Sequence, residues 1–236
     1  MDKYGTDSLR FTIVYLAPLG NDVLFDEEKT QIGRNFITKL WNAGRFLLMM
    51  KEKVKTDGTE QSDKYVNDLT DKWLESRYNS SLKNADRFLH EYRIDEYTKT
   101  LYNFVWSDYC DWYIELMKIK INEYPEQSGR IISDAIDYYE NILKILHPVI
   151  PYVTEELWHN LKEGRAEKSI SIEMLPDINE SKIDPDQEIK FEKVKEIASA
   201  IRNLKAVNNI PASFRSEVFI ISSGDSKKLI SEYRMY

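Results

Sequence analysis

The sequence predicts a mainly α fold, a helical bundle followed by a small α+β appendage, and three observations lead there. With only 8 Gly and 7 Pro in 236 residues, and 31% charged and 42% hydrophobic residues, the chain has the composition of long helices, short connections and a real core. Up to about residue 161 the apolar residues recur at three- and four-residue intervals. Beyond residue 168 two β-branched runs follow, SISIEML at 169–175 and SEVFIIS at 216–222, which read as strands.

The elements follow in order. A first helix is expected over 6–17, with Thr6 or Asp7 as N-cap and Leu9, Ile13 and Leu16 on one face, ended by Pro18 and Gly20. A second covers about 28–50, and KTDGTEQSD is the polar connection after it. A third starts near Tyr65, keeps Leu69, Trp73, Tyr78, Leu82, Ala85 and Leu89 in helical spacing, and breaks near Arg93. The fourth, about 94–122, is rich in aromatics: Tyr97, Tyr102, Phe104, Trp106, Tyr109, Trp112 and Tyr113, with Pro125 closing it. A fifth carries Ile132, Ile136, Tyr139, Leu143 and Leu146 on one stripe and stops at His147-Pro148. A short sixth, VTEELWHNL, ends near Gly164, and a helix of about 186–207 lies between the two β-branched runs. This divides the chain into a leading helix at 1–25 that belongs with something upstream, a bundle at 26–161, and a small α+β subdomain at 162–236.

Several function classes are excluded by what is missing. The single cysteine, Cys110, rules out an internal disulfide and a thiolate cluster for zinc. His90, His147 and His159 are too scattered for a metal set and are expected to make local hydrogen bonds or cap helix ends. No GxxxxGK[ST], GxGxxG or GxSxG string occurs. Acid clusters such as Asp26-Glu27-Glu28 and Glu155-Glu156 fall at helix N-termini, where the macrodipole favours them whatever the function. No catalytic residue, metal ligand or bound cofactor is expected in this chain, which reads as a binding module. With no long apolar span and no basic-then-apolar leader, neither membrane insertion nor secretion is indicated; a cytoplasmic monomer is expected.

The binding face is legible in residues 34–46, RNFITKLWNAGRF. At 100° per residue, Phe36, Ile37, Leu40, Gly44, Leu47 and Leu48 span an apolar arc of about 120°, with close helix packing expected at Gly44. The opposite arc carries Arg34, Asn35, Thr38, Lys39, Asn42 and Arg45, and among them one ring, Phe46. From Lys29 to Lys55 seven lysines and arginines face the single acid Glu52, in a chain whose formal net charge is −7. A locally basic helix in an acidic protein points to a directed anion site, and a ring among guanidinium and amide donors suits a stacked base. The plainer alternative is that a neighbouring helix covers Phe46 and the charges are simply solvated.

The strings DKYGTDSLRFTIVYLAPLGNDVLF and GRNFITKLWNAGRFLL, with DKWLESRYN, EYRIDEYTKTLYNFVWSDYCDWYIELMK, HPVIPYVTEELW and IRNLKAVNNIPAS in the same order, resemble the class I aminoacyl-tRNA synthetases just after their lysine-rich signature loop. Among these the valyl-tRNA synthetases are most similar. HPxxPxxTEELW is shared by the isoleucine, leucine and valine enzymes, whereas RNF-x-x-KLWNA-x-RF is characteristic of the valine branch. The resemblance covers nearly the whole chain.

It implies that the bundle is an anticodon-binding domain, that residues 1–25 link it to the catalytic domain, and that the partner is the anticodon stem-loop of tRNA(Val). The reading positions it implies are Lys39, Asn42, Arg45 and Phe46, with Arg34 and Asn35 as weaker candidates. Phe46 would stack on a base, Asn42 and Arg45 would bond base edges, and Lys39 would meet a phosphate or a base. Trp106 or Asp111 is a candidate for the opposite wall, with bundle core as the simpler reading; pairing of Asp111 with Arg34 or Arg45 is the alternative. ATP and Mg would act in the parent enzyme's catalytic domain, and valine attachment and editing would belong to that parent. Two other readings stay open: the equivalent domain of an isoleucine or leucine enzyme, and a helical protein-interaction scaffold with no RNA role.

Overall fold

The computed structural model describes residues 4–17, 20, 25–57, 69–162, 168–211 and 214, and all statements below concern these. Eight α-helices run in the order α1 (Thr6–Leu16), α2 (Thr30–Asp57), α3 (Leu69–His90), α4 (Ile94–Asn103), α5 (Ile114–Glu123), α6 (Ser128–Leu146), α7 (Pro151–Leu161) and α8 (Pro185–Val207). A π-helical segment, Phe104–Tyr113, joins α4 directly to α5.

Short-range chemistry explains most of the boundaries. The Asp26 carboxylate accepts from the Glu28 amide and caps the 3-10 turn that leads into α2. Tyr92, at φ 59°, adopts the left-handed turn that ends α3. Pro125 and Pro151 stand at the first position of the elements they open, where a missing N–H costs nothing. Asp184 caps α8 through the Gln187 amide at 3.0 Å, with Pro185 next to it. The α1 cap differs from expectation: Gly5 precedes the helix without a side-chain cap. The Asp7 carboxylate instead accepts from the Val153 amide at 2.7 Å, satisfying a donor in the first turn of α7.

Helix α2 is the central element, packed against α1, α6, α7 and the π segment. Its buried face is Phe36, Leu40, Ala43, Gly44 and Leu47, so the apolar arc read from the periodicity is the packing face. The predicted stripe on α6 is likewise buried at Ile132, Ile136, Tyr139, Leu143 and Leu146. Buried tyrosine hydroxyls tie helices together by donating to carbonyls: Tyr97 to Ile145, Tyr109 to Ala135 at 2.6 Å, and Tyr139 to Leu40 at 2.6 Å. A donor of this kind can sit in a core because it has an acceptor.

Two glycines let backbones approach. A Cβ at Gly44 would lie 2.8 Å from the Tyr139 hydroxyl and 3.0 Å from Leu157, and at Gly33 it would lie 2.3 Å from the Ser8 carbonyl oxygen of α1. Because the obstacle at Gly33 is backbone, it cannot rotate away. Gly33→Ala should therefore cost about 1–3 kcal/mol, read as a fall in urea midpoint at unchanged slope; a neutral result would mean that the α1–α2 contact is loose.

Three expectations need correction. The span 94–122 is one continuous rod but not one α-helix, because its aromatic middle is π-helical. The run 169–175 is not a strand: Ser169 caps a 3-10 turn at Ile170–Ile172 and the chain is then irregular. No strand occurs among the described residues, and 216–222 lies outside them, as does Tyr65. Helix α2 also continues past 50 to Asp57. Helix α8, expected at 186–207, is present and packs on α3, with its Phe191 ring fully buried and stacked on Trp73 at 3.9 Å between centroids.

Candidate nucleic-acid interface

The polar arc of α2 emerges on the surface of the bundle. Arg34, Asn35, Asn42 and Arg45 are exposed and Lys39 and Phe46 are half-buried. Among the described residues Arg34 and Arg45 have no ion-pair partner, so both guanidiniums keep their five donors for a ligand. Asn35 is partly engaged, its Oδ1 accepting from Gln31 Nε2 at 2.7 Å, and the Thr38 hydroxyl is turned onto the Arg34 carbonyl at 2.8 Å. Asn35 and Thr38 therefore have less to offer than Asn42.

The facing wall comes from the π segment and α5. Lys39 Nζ lies 2.5 Å from Asp111 Oδ1 and 5.5 Å from the centroid of the half-buried Trp106 ring. Further along, Lys118 Nζ stands 4.8 Å from the centroid of Phe46 and is held by Glu115 at 2.6 Å. Asp111 thus pairs with Lys39, which corrects the alternative that it pairs with Arg34 or Arg45. Phe46 packs partly against the core, with a cation over the ring. Lys118 was missed from the sequence; its position seven residues after Asp111 is the only signal, since Lys39 and Phe46 are also seven apart.

Behind this wall the π segment is anchored by ions. Asp108 accepts from Arg77 of α3 at 2.9 Å and from Lys195 of α8 at 2.7 Å. Glu188 of α8 completes the cluster with Arg77 at 2.9 Å, Ser80 at 2.7 Å and Ser76 at 2.5 Å. Burial raises the Glu188 pKa, but the hydrogen bonds from Ser76, Ser80 and Arg77 and the Arg77 charge outweigh it, leaving the carboxyl below its ordinary value. Arg202 of α8 lies over the Trp112 ring at 5.1 Å.

Burial pushes the Cys110 thiol up to about 12, so it stays protonated. Among the described residues no group of three His, Cys, Asp or Glu is placed to hold a metal. The histidines sit in local contacts: His147 with the Thr154 hydroxyl at 2.8 Å, His159 with Glu155 at 3.0 Å, and His90 with Asp86 at 3.7 Å. No helix among the described residues is long and apolar enough to cross a membrane. What the face offers is donors, a half-buried ring and positive charge, the equipment of base-edge and phosphate contacts.

Comparison with known proteins identifies the family of the chain. Residues 71–220 match the family described as the anticodon-binding domain of tRNA ligase. The valine--tRNA ligase of Chlorobaculum tepidum is 39% identical over 233 residues, 94% of this chain and 26% of that protein. Those of Listeria innocua, 38% identical over 90% of this chain and 24% of that protein, and Coxiella burnetii, 35% identical over 99% and 26%, are similar. The chain thus spans about a quarter of the length of the curated relatives it matches. Among solved structures, the LeuRS of an Agrobacterium radiobacter LeuRS-tRNA-LeuAMS ternary complex shares the fold, with a TM-score of 0.55 and 12% identity over 77% of this chain and 20% of that one. The matched family, spanning most of the bundle, establishes that this chain belongs to the anticodon-binding domains of tRNA ligases.

Proposed function

We propose that the chain recognises the anticodon stem-loop of tRNA(Val) as the tRNA-selecting part of a valine--tRNA ligase. The observation that carries this reading is the α2 face, where Arg34, Asn42 and Arg45 are exposed beside Lys39 and Phe46. The similarity to valine--tRNA ligases over most of this chain supports the choice of amino acid. In this reading Asn42 and Arg45 bond base edges, Phe46 offers its ring to a base with Lys118 sliding to a phosphate, and Arg34 and Asn35 lie at the margin. The catalytic domain of the whole enzyme uses ATP with Mg to attach valine, and this chain takes no part in that chemistry. A cytoplasmic, monomeric enzyme is the setting we propose.

The test is filter binding of the purified chain to anticodon stem-loop transcripts. Each base-reading contact is worth about 1–3 kcal/mol, so Arg45→Ala and Phe46→Ala should each weaken binding of the valine stem-loop about 5- to 150-fold. Equal or tighter binding of an isoleucine stem-loop would reject the valine assignment. Binding that neither substitution changes would reject the RNA role of this face.

A further inference from the structure

The π-helical geometry of Phe104–Tyr113 decides what stands opposite Lys39. In an α-helix residues five apart are rotated by about 140° and point to different sides. With i→i+5 hydrogen bonds, such as the Ile114 amide onto the Tyr109 carbonyl, residue i+5 comes round to the same side of the helix as residue i. Trp106 and Asp111 are five apart, and both meet the same ammonium, the ring at 5.5 Å and the carboxylate at 2.5 Å. The segment is held in this register by Asp108, which is paired with Arg77 and Lys195, and by the Tyr109 hydroxyl on the Ala135 carbonyl.

Stability does not account for the Lys39–Asp111 pair. Its side chains are 34% and 41% exposed, and ion pairs so open to water contribute little to folding. A carboxylate on a face that meets a polyanion also opposes binding, unless it does something to the cation beside it. It does two things to Lys39. It cancels the charge that would otherwise draw the side chain to whichever phosphate is near. It also takes one of the three ammonium donors and holds the ammonium beside the Trp106 ring, leaving the other two donors for a ligand.

We propose that Asp111 is a positioning residue for base recognition: by holding Lys39 against Trp106 it turns that lysine from a phosphate-seeking charge into a directed donor to a base-edge acceptor. This rests on reading α2 as the anticodon-facing surface, and it decides between the two roles, phosphate or base, that the sequence leaves open for Lys39.

The test measures binding of the whole chain, as wild type, Asp111→Asn, Lys39→Met and the double variant, to the valine anticodon stem-loop and to the same RNA with one anticodon base changed, across a sodium chloride series. In Asp111→Asn the released Lys39 finds a phosphate. The ratio of the two affinities should then fall about 10-fold, while the slope of log affinity against log salt steepens by about 0.7, the increment for one added phosphate contact on a single strand. Because Asp111 acts through Lys39, the double variant should discriminate no worse than Lys39→Met alone. A residue that only supports the fold would weaken both RNAs alike with an unchanged slope, and that result overturns the proposal. A wild-type chain with no anticodon preference overturns the RNA reading and the proposal with it; a preference that Asp111→Asn leaves intact overturns the proposal alone. A readout without RNA is the Lys39 ε-methylene proton resonance, which the nearby Trp106 ring should displace in the wild type. In Asp111→Asn it should return to the position of a solvated lysine, and an unmoved resonance overturns the proposal.

Discussion

Trp73→Ala should destabilise the chain by about 3–5 kcal/mol, the usual cost of emptying a large buried aromatic site. Trp73 has no exposed surface and stacks on Phe191 at 3.9 Å and 23° between planes, while Lys195 stands 4.8 Å from the ring. Removing the indole therefore empties the seam between α3 and α8 and strips Phe191 of its stacking partner and Lys195 of the ring beside it at once. Chemical denaturation reads the loss, and a cost below about 1 kcal/mol would show that α8 is only loosely docked. Trp73→Phe gives a version that folds. It keeps a stacking ring and deletes an indole N–H that has no acceptor among the described residues. Its cost should be well below that of alanine, because removing an unsatisfied donor offsets part of the lost volume.

Asp108→Ala should cost about as much, roughly 3–5 kcal/mol, although no cavity of that size is made. The Asp108 and Lys195 side chains are 5% and 12% exposed, so the substitution leaves a nearly buried ammonium facing Arg77 with Glu188 and Glu192 as the remaining carboxylates. The penalty is that of uncompensated charge. Accordingly, Asp108→Ala combined with Lys195→Met should be more stable than the two separate costs add up to. Simple additivity would show that the ions do not depend on one another. The same cluster has a pH signature. Glu188 has its folded pKa depressed below the ordinary 4.5, so its contribution is fully present above about pH 4.5 and is lost as pH falls through the folded value.

The polar face and the core face of α2 were both legible, because an α-helix is a local structure whose angular period needs no knowledge of neighbours. Phe46 was the residue that periodicity could not place, and the fold half-buries it beneath Lys118, 72 residues away in the chain. The partner of Asp111 was equally out of reach: Lys39 is also 72 residues away, and an isolated carboxylate can serve any nearby cation. The π segment was invisible since its aromatics suit an α-helical stripe as well, and a register of hydrogen bonds leaves no mark on composition. The run at 169–175 misled in the opposite direction. Its β-branched alternation is strand-like, yet Glu155 of α7 accepts from Ser169 Oγ and the Ile170 amide, and Ile170 is buried against the bundle. A strand exists only when a second strand pairs with it, which no single run can specify.

By itself the amino-acid sequence determined that this chain is a helical bundle, which side of α2 enters the core, and which donors are left on the other side, all consequences of spacing along one helix. Only the tertiary structure decided which cations are already spoken for. Lys39 is held by Asp111 and Trp106, Lys118 lies over Phe46, Lys195 is locked to Asp108, and Arg34 and Arg45 have no ion-pair partner among the described residues. The reason is physical: a charge takes its partner from whatever packing brings within a few ångströms, and here those partners lie dozens of residues away in sequence.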